Sequence, residues 1–201
     1  MSNWKPSGPV VLVLRIDADD AAWLADIAFE NGLRCFEVTA TQPDFQEAFA
    51  SIKEMHPDAQ VGIGSLRSPA ALHMAASLGP DYLVTPVAVS GGAKLAHEAG
   101  IGYIEGAATP TECHRAAENG ADIVKVFPAA SLGGISYLRD LLAPMPDLSL
   151  MPSGGVTPEN AQSYLEAGAS AVSIGSSLCS ATDLDSRDSR NLVERLAVLP
   201  K

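Results

Sequence analysis

The chain has 201 residues, of which 47% are hydrophobic, 18% charged and only 5% aromatic. A chain of this size and composition buries roughly 70% of its unfolded surface, which excludes disordered, collagen-like and fibrous proteins. Its 13 basic and 24 acidic residues leave a formal net charge of -11, so neither nucleic acid nor an anionic membrane surface is expected as a partner. A phosphate site would have to depend on local backbone amides and a few cations.

Eight short apolar runs recur along the chain at intervals of about 20 to 25 residues, a period typical of a strand followed by a helix. Each run is mostly apolar rather than alternating, which indicates parallel strands that are covered on both faces. The predicted strands are VVLVL (10–14), CFEV (35–38), VGI (61–63), YLV (82–84), GYI (102–104), DIVKVF (122–127), LSLM (148–151) and AVSI (171–174).

Stretches with helical period and composition separate these runs, for example at 19–32, 43–56, 68–79 and 157–168. Several begin at a capping residue that precedes a proline, namely Ser68, Thr109 and Thr157. Several end where a left-handed residue would finish a helix, at Gly32, Gly79, Gly100, Gly120 and Gly168. The polar segment that starts at Ser180 is predicted to be a loop, followed by a final helix in NLVERLAVL.

Eight strand-helix units without a break in composition predict a single α/β domain over residues 1–201, a (β/α)8 TIM barrel. Residues 1–9 would form an N-terminal extension, and residues 180–201 a C-terminal loop and helix. A doubly wound open sheet is the alternative, since eight parallel strands can also lie flat. The even spacing favours the barrel, in which chemistry belongs at the C-terminal ends of the strands.

The cysteines and histidines indicate neither disulfides nor a metal site. The three cysteines lie far apart without CxxC spacing, so a cytoplasmic protein is predicted. The four histidines, His56, His73, His97 and His114, fall in predicted helices away from the strand ends, which disfavours a metal-dependent reaction. No glycine motif for a dinucleotide or a nucleoside triphosphate occurs, so no cofactor is expected. Neither a signal peptide nor a membrane span is predicted, because the apolar runs are too short.

Two charged residues stand inside predicted strands. Lys125 is the only one of the five lysines within an apolar strand. A lysine that points into a barrel loses hydration, which favours the neutral amine that attacks a carbonyl carbon to form a Schiff base. Glu37 ends the second strand and would face the same opening, where a carboxylate can transfer protons. The alternative is an ion pair between Glu37 and Lys125 that serves the structure alone.

Other strand ends carry groups suited to binding anions. Arg15 ends the first strand, where a guanidinium can bind a carboxylate or phosphate through two parallel hydrogen bonds. A salt bridge from Arg15 to Asp17 or Asp19 is the alternative. PSGGV (152–156) and IGSSL (174–178) follow the seventh and eighth strands, where such barrels usually bind phosphate. The predicted phosphate-binding residues are Gly154, Gly155, Ser176 and Ser177.

Taken together, these segments resemble one family of aldolases. The segments occur in the same order over roughly residues 10–178 and are VLRI at Arg15, EVT at Glu37, GIGS (62–65), TP (85–86), KVFPA (125–129), PSGGV and IGSSL. This is similar to the 2-keto-3-deoxy-6-phosphogluconate (KDPG) aldolases, which include the 4-hydroxy-2-oxoglutarate (KHG) and 2-keto-3-deoxy-6-phosphogalactonate aldolases. The resemblance implies a (β/α)8 barrel, a homotrimer, a small 2-oxo acid substrate and a metal-free class I aldol cleavage through a pyruvate imine.

The resemblance also implies roles for individual residues. Lys125 would form the Schiff base, Glu37 would be the general acid and base, and Ser65 would contact the pyruvyl group. The substrate carboxylate and pyruvyl part would be bound by Arg15, Thr41, Thr85 and Pro86. Thr41 stands where many members have an arginine, and Arg15 fits as its replacement.

Glu105, in EGAAT (105–109), departs from the family pattern, which typically has proline and glycine at the first two positions of this segment. Unless it turns away or pairs with Arg15, its carboxylate would repel a doubly anionic substrate. A second hypothesis is therefore an aldolase or decarboxylase for a non-phosphorylated 2-oxo acid, such as 4-hydroxy-2-oxoglutarate or oxaloacetate. A third is a catalytically silent barrel that binds a phosphorylated ligand and keeps Lys125 and Glu37 as an ion pair.

Overall fold

The structure is a computed structural model that describes residues 4–201. Its strands are β1 (Val10–Leu14), β2 (Cys35–Thr39), β3 (Gln60–Gly64), β4 (Tyr82–Thr85), β5 (Gly102–Ala107), β6 (Ile123–Val126), β7 (Leu150–Pro152) and β8 (Val172–Ile174). Its helices are α1 (Ala18–Glu30), α2 (Phe45–Met55), α3 (Pro69–Ala76), α4 (Gly92–Glu98), α5 (Pro110–Glu118), α6 (Gly134–Leu142), α7 (Pro158–Glu166), α8 (Ala181–Ser186) and α9 (Arg190–Ala197), with a 3₁₀ turn at Ala130–Leu132.

The eight strands form a parallel barrel, as the sequence predicted. Their order is β7-β6-β5-β4-β3-β2-β1-β8, so each strand pairs with its neighbour in the chain and β8 returns to β1. A bridge between Ser153 and Ser173 joins the ends of β7 and β8. This bridge excludes the open sheet, because it leaves no free edge between those strands.

The helix ends follow the capping signals in the sequence. The side chain of Ser68 accepts a hydrogen bond from the Ala71 backbone N–H, and Thr109 forms a capping box with Glu112. All five glycines predicted to end helices have positive φ angles. Because every strand is followed by a helix that returns to the same side, the C-terminal ends of the strands meet at one mouth.

The segment that follows Ser180 is a helix, and the prediction of a loop there was wrong. Ser180 caps α8 by accepting a hydrogen bond from the Asp183 backbone N–H, while the Asp183 side chain accepts one from the Ser180 backbone N–H. Asp183 Oδ2 also forms a salt bridge with Arg195 Nη2 of α9, at 2.6 Å. This reciprocal capping stabilises a helix of only six residues in a polar sequence.

The barrel interior is filled below its mouth. An apolar layer there is almost completely buried and consists of Val11, Cys35, Tyr82, Val84, Ile104, Ile123, Met151 and Ala171. Trp4, from the predicted extension, packs on Tyr82 with ring centroids 4.8 Å apart. A Cβ atom on Gly102 would collide with the Trp4 ring, so glycine is required beside it. Residues 1–3 of the extension lie outside the described residues.

The histidines sit on or at the ends of helices. His73, His97 and His114 lie within α3, α4 and α5, and His56 directly follows α2. In residues 4–201 there is no group of three histidine, cysteine or acidic side chains placed to hold a metal ion. Over the same residues, no helix has the length and apolar character needed to cross a membrane.

Candidate active site

Lys125 on β6 and Glu37 on β2 meet inside the barrel. Lys125 Nζ lies 3.3 Å from Oε2 and 3.4 Å from Oε1 of Glu37, although 88 residues separate them in the chain. Lys125 is 7% exposed and Glu37 is 1% exposed. Within residues 4–201, the Glu37 carboxylate is the only hydrogen-bond partner of Lys125 Nζ. The two residues predicted to carry the chemistry are therefore in contact.

Both side chains face inward because of their place in the strands. Lys125 is two residues from Ile123, and Glu37 is two residues from Cys35; both neighbours belong to the interior layer. Side chains two residues apart on a strand share a face. Gly64 provides the space that Glu37 occupies, because a Cβ atom at that position would collide with Glu37 Oε1.

The distances within this pair are longer than those of a tight ion pair. Charge-assisted hydrogen bonds between an ammonium and a carboxylate usually measure about 2.7–2.9 Å. At 3.3–3.4 Å, the Lys125 amine and the Glu37 carboxylate are close enough to exchange a proton, and the amine is not locked against one oxygen. The geometry suits an amine that must leave the carboxylate to attack a carbonyl carbon.

Arg15 and Thr41 lie at the mouth, on the loops that follow β1 and β2. Arg15 is exposed, and within residues 4–201 it forms no ion pair with Asp17 or Asp19. Asp17 instead caps α1 by accepting a hydrogen bond from the Asp20 backbone N–H at 2.9 Å. The Thr41 hydroxyl donates to Thr39 at 3.2 Å. The guanidinium of Arg15 is thus open to an anion.

Ser65 follows β3 with a left-handed backbone. Its φ angle is 64°, in a region that residues other than glycine seldom occupy. Strained backbone of this kind concentrates at ligand sites, where the surrounding structure holds it in place. Ser65 also follows Gly64, which packs on Glu37, so the strained residue is adjacent to the catalytic candidates.

The loops after β7 and β8 lie side by side. Gly154 and Gly155 have φ angles of 84° and 82°, and a Cβ atom on Gly155 would collide with Ala130. The Ser177 hydroxyl donates to the Val156 carbonyl at 2.7 Å and joins the two loops. Within residues 4–201, the backbone N–H groups of Gly155, Ser176 and Ser177 have no acceptor. Unengaged amides of this type are what a phosphate binds.

Thr85 and Pro86 differ in what they contribute. Val84 belongs to the interior layer, so the Thr85 side chain points to the opposite face, where its fully buried hydroxyl lies 3.3 Å from the Tyr103 hydroxyl. The structure therefore does not bring the Thr85 side chain to Lys125. Pro86 is closer, because its backbone would collide with a Cβ atom on Gly106, the residue that pairs with Lys125 in the sheet.

Glu105 also points away from the mouth, so the expected negative charge beside the substrate is absent. It follows Ile104, which faces the interior, and therefore projects to the outer face of β5. There it is 5% exposed and accepts a hydrogen bond from the Tyr103 hydroxyl at 3.0 Å. Burial raises the pKa of the Glu105 carboxyl, against the opposing effect of hydrogen bonds from Tyr103 and the Val89 backbone.

Sequence reasoning missed two hydroxyls inside the barrel. Ser153 follows β7 and donates to Ser173 of β8 at 3.3 Å, and both residues are buried. They share a face with Met151 and Ala171 of the interior layer. Met151 pairs with Lys125 in the sheet, so Ser153 lies one step closer to the mouth, between Lys125 and the glycine loop. Side chains alternate between the two faces of a strand, so counting two residues on from an inward-facing residue could have identified both serines.

Comparisons with known proteins agree with this arrangement. The sequence profile of the KDPG and KHG aldolase family matches residues 3–195. The chain is 30% identical to the 2-dehydro-3-deoxy-6-phosphogalactonate aldolase of Escherichia coli K12 over 179 residues, covering 88% of this chain and 87% of the relative. It is 31% identical to the 2-dehydro-3-deoxy-phosphogluconate aldolase of Dickeya dadantii over 196 residues, covering 94% and 92%.

A solved structure is similar to the same chain and belongs to the same kind of aldolase. The KDPG aldolase of Legionella pneumophila, with pyruvate captured as a covalent carbinolamine intermediate, superposes with a TM-score of 0.87 at 25% identity, covering 97% of this chain and 95% of that one. The profile match extends over nearly the whole chain, and the relatives share its length as well as its fold. The chain therefore belongs to the KDPG and KHG aldolase family.

Proposed function

We propose that the protein is a class I aldolase that cleaves a 2-keto-3-deoxy-6-phospho-sugar acid to pyruvate and glyceraldehyde 3-phosphate. The observation that carries this proposal is the buried contact of Lys125 with Glu37, at 3.3–3.4 Å, inside the mouth of the barrel. Membership of the aldolase family supports the reaction class. The carbinolamine formed by pyruvate in the Legionella relative supports an amine nucleophile.

The reaction begins at the Lys125 amine. After its proton passes to Glu37, the neutral amine attacks the C2 carbonyl carbon, and loss of water from the carbinolamine forms a protonated imine. The imine accepts electrons from the C3–C4 bond. Glu37, once deprotonated, removes the C4 hydroxyl proton, the bond breaks, and the aldehyde leaves. Protonation of the enamine at C3 and hydrolysis of the imine release pyruvate and restore the Lys125 amine.

The two ends of the substrate would be held by separate groups. Arg15 would bind the carboxylate next to C2, because its exposed guanidinium is free of Asp17 and Asp19 in the described chain. The amides of Gly155, Ser176 and Ser177 would bind the terminal phosphate. Because the protein carries a formal net charge of -11, both contacts must be short and local to overcome the overall repulsion.

The structure offers no particular reason to prefer a non-phosphorylated substrate. That hypothesis depended on the carboxylate of Glu105 at the mouth, and this side chain lies on the outer face of β5. We expect kcat/KM to be higher for the phosphorylated 2-keto-3-deoxy acid than for 4-hydroxy-2-oxoglutarate or oxaloacetate. Kinetics with all three compounds would test this order, and a preference for an unphosphorylated compound would overturn it.

Borohydride trapping tests the proposed chemistry without the correct aldehyde. The protein is incubated with pyruvate and borohydride, and peptide mass spectrometry should locate an N-(1-carboxyethyl) group on Lys125. Lys125→Ala should lose both the adduct and turnover. Lys94→Ala is the matched control, because the Lys94 side chain is 79% exposed on α4. Absence of the adduct in the folded wild type would favour the catalytically silent barrel, in which Lys125 and Glu37 are only an ion pair.

We also propose a cytoplasmic homotrimer. Three free, buried cysteines suit a reducing compartment. Met55 and Met74 are 43% and 37% exposed on α2 and α3, which leaves apolar surface that a subunit contact could cover. Light scattering should give a mass three times that of the 20.9 kDa chain, and a monomeric mass would refute the assembly.

A further inference from the structure

A buried tyrosine inside the barrel reaches the strand that carries Glu37. Tyr82 belongs to the interior layer and is fully buried, although its side chain ends in a hydroxyl. That hydroxyl donates a hydrogen bond of 2.6 Å to the backbone carbonyl of Phe36, 46 residues away in the chain. A buried hydroxyl needs a partner of this kind. The carbonyl that Tyr82 binds is the one that immediately precedes Glu37.

The register of the sheet explains why the hydroxyl reaches this carbonyl. Glu37 of β2 pairs with Gly62 of β3, and Gly62 pairs with Tyr82 of β4, so the three residues form one row across three strands. Gly62 has no side chain, and a Cβ atom there would collide with the Tyr82 ring. The ring therefore crosses β3 over Gly62 and ends at β2.

The same strand leaves a second space, which Glu37 occupies. A Cβ atom on Gly64 would collide with Glu37 Oε1, so the carboxylate lies over Gly64, two residues closer to the mouth than Gly62. The Tyr82 ring fills the space over Gly62 and leaves Glu37 no room to lean toward the bottom of the barrel. The ring thus bounds from below the space in which the carboxylate meets Lys125 Nζ, at 3.3–3.4 Å.

Tyr82 is itself held in place. The Trp4 ring packs on it from the bottom of the barrel, with ring centroids 4.8 Å apart. Burial raises the pKa of the Tyr82 hydroxyl well above its usual value, so the hydroxyl stays protonated at neutral pH and remains a donor to Phe36. A fixed ring with a permanent donor suits a group that holds a peptide unit in one orientation.

We propose that Tyr82 is a positioning residue for Glu37: its hydroxyl fixes the peptide unit between Phe36 and Glu37, and its ring keeps the carboxylate level with Lys125 Nζ. In this role Tyr82 acts through Glu37 and transfers no proton itself. The inference rests on the proposed function, because it concerns the step in which Glu37 removes the C4 hydroxyl proton.

The test compares kcat and KM in Tyr82→Phe, which loses the hydroxyl and keeps the ring. The substrates are 2-keto-3-deoxy-6-phosphogluconate and 2-keto-3-deoxy-6-phosphogalactonate, and kcat is expressed per site that forms the borohydride adduct with pyruvate. We expect kcat to fall about tenfold, because small displacements of catalytic groups are costly. KM should stay within about twofold of the wild type, because the groups proposed to bind the two ends of the substrate are unchanged.

Tyr137→Phe is the matched control. The Tyr137 hydroxyl, on α6, also donates to a backbone carbonyl, that of Ala108, at 2.8 Å. The control therefore makes the same chemical change in the outer ring of helices, and its kcat should equal that of the wild type. If Tyr82 served stability alone, kcat per site would be unchanged in both variants. An unchanged kcat in folded Tyr82→Phe, or a raised KM without a fall in kcat, overturns the inference.

Gly62→Ala provides a second test that leaves Tyr82 chemically intact. Its methyl group would collide with the Tyr82 ring and displace the hydroxyl from the Phe36 carbonyl, so kcat should again fall about tenfold. This variant decides the question if Tyr82→Phe does not fold, and an unchanged kcat in folded Gly62→Ala then overturns the inference. A wild type that forms no adduct with pyruvate, or that cleaves neither compound, would instead contradict the proposed function.

Discussion

Lys125 and Glu37 depend on each other as buried partners, in addition to the roles proposed for them in the reaction. Both are at least nine-tenths buried, so removing one leaves the other without its partner in a low-dielectric interior. Loss of activity in a variant of this pair therefore has two possible origins, a missing group or an altered fold. Substitutions that keep volume and hydrogen bonding separate the two.

Glu37→Gln keeps the size of the side chain and an oxygen within reach of Lys125, but it cannot remove the C4 hydroxyl proton. We expect kcat for cleavage to fall by about 10²–10⁴, the usual contribution of a general acid or base. The adduct on Lys125 should still form after long incubation with pyruvate and borohydride. Steady-state kinetics and circular dichroism would check this, and an unchanged kcat would remove Glu37 from the mechanism.

Gly64→Ala tests the space around Glu37. The new methyl group would collide with Glu37 Oε1, so the carboxylate would have to move away from Lys125. We expect kcat to fall by about tenfold or more, because small displacements of catalytic groups are costly. Gly8→Ala is the matched control, since a Cβ atom on Gly8 meets no neighbour within 4 Å. Equal activity in the two variants would contradict the predicted clash.

Glu105→Gln should change how stability depends on pH. Burial raises the pKa of Glu105 above its ordinary value of 4.5, so the folded state holds this proton more tightly than the unfolded state. The stability due to that proton is present in acid and is lost as pH rises from about 4.5 through the raised pKa. Glutamine does not titrate, so the variant should gain stability relative to the wild type over this interval. Urea unfolding at several pH values would measure the free energy of unfolding of both proteins. The same dependence on pH in the variant and the wild type would contradict the prediction.

At the scale of the strand, the sequence predicted which residues carry charge but not always which face they occupy. Lys125 and Glu37 could be found because each is an isolated charge in an apolar strand. Thr85 and Glu105 could not be placed, because these parallel strands are apolar on both faces and lack the alternation that separates inside from outside. Ser153 and Ser173 were missed for the same reason. The loop after β7 could be recognised as a turn from the sequence, because the glycine pair in PSGGV marks it directly.

The short helix α8 shows a different limit of prediction. Its polar composition resembles a loop, and only the spacing of Ser180 and Asp183 indicates a cap. Ser180→Ala should lower the free energy of unfolding by about 1 kcal/mol without affecting kcat, because the cap is lost and the site is not touched. Ser136→Ala, at an exposed position in α6, is the control and should not destabilise the fold. Equal unfolding free energies for the two variants would exclude a capping role.

For the whole molecule, the bottom of the barrel is as important to stability as its mouth is to chemistry. Trp4→Ala removes the ring that packs on Tyr82 and Gly102. We expect a loss of about 2–4 kcal/mol in the free energy of unfolding, somewhat less than for a fully buried tryptophan. Lys5→Ala, at the neighbouring exposed position, should have little effect. Urea unfolding would compare them, and an unchanged value for Trp4→Ala would show that the ring does not support the barrel.

The filled interior beneath Lys125 also determines the route by which small molecules reach and leave the site. Because Trp4 and the apolar layer occupy the far end, the mouth is the route by which substrate, products and water all pass. The water that hydrolyses the imine must therefore enter where the aldehyde has just left. Product release is ordered, with the aldehyde first and pyruvate last, because pyruvate stays bonded to Lys125 until the imine is hydrolysed. A high concentration of aldehyde would add back to the enamine, re-form the C3–C4 bond and delay the return of the free amine.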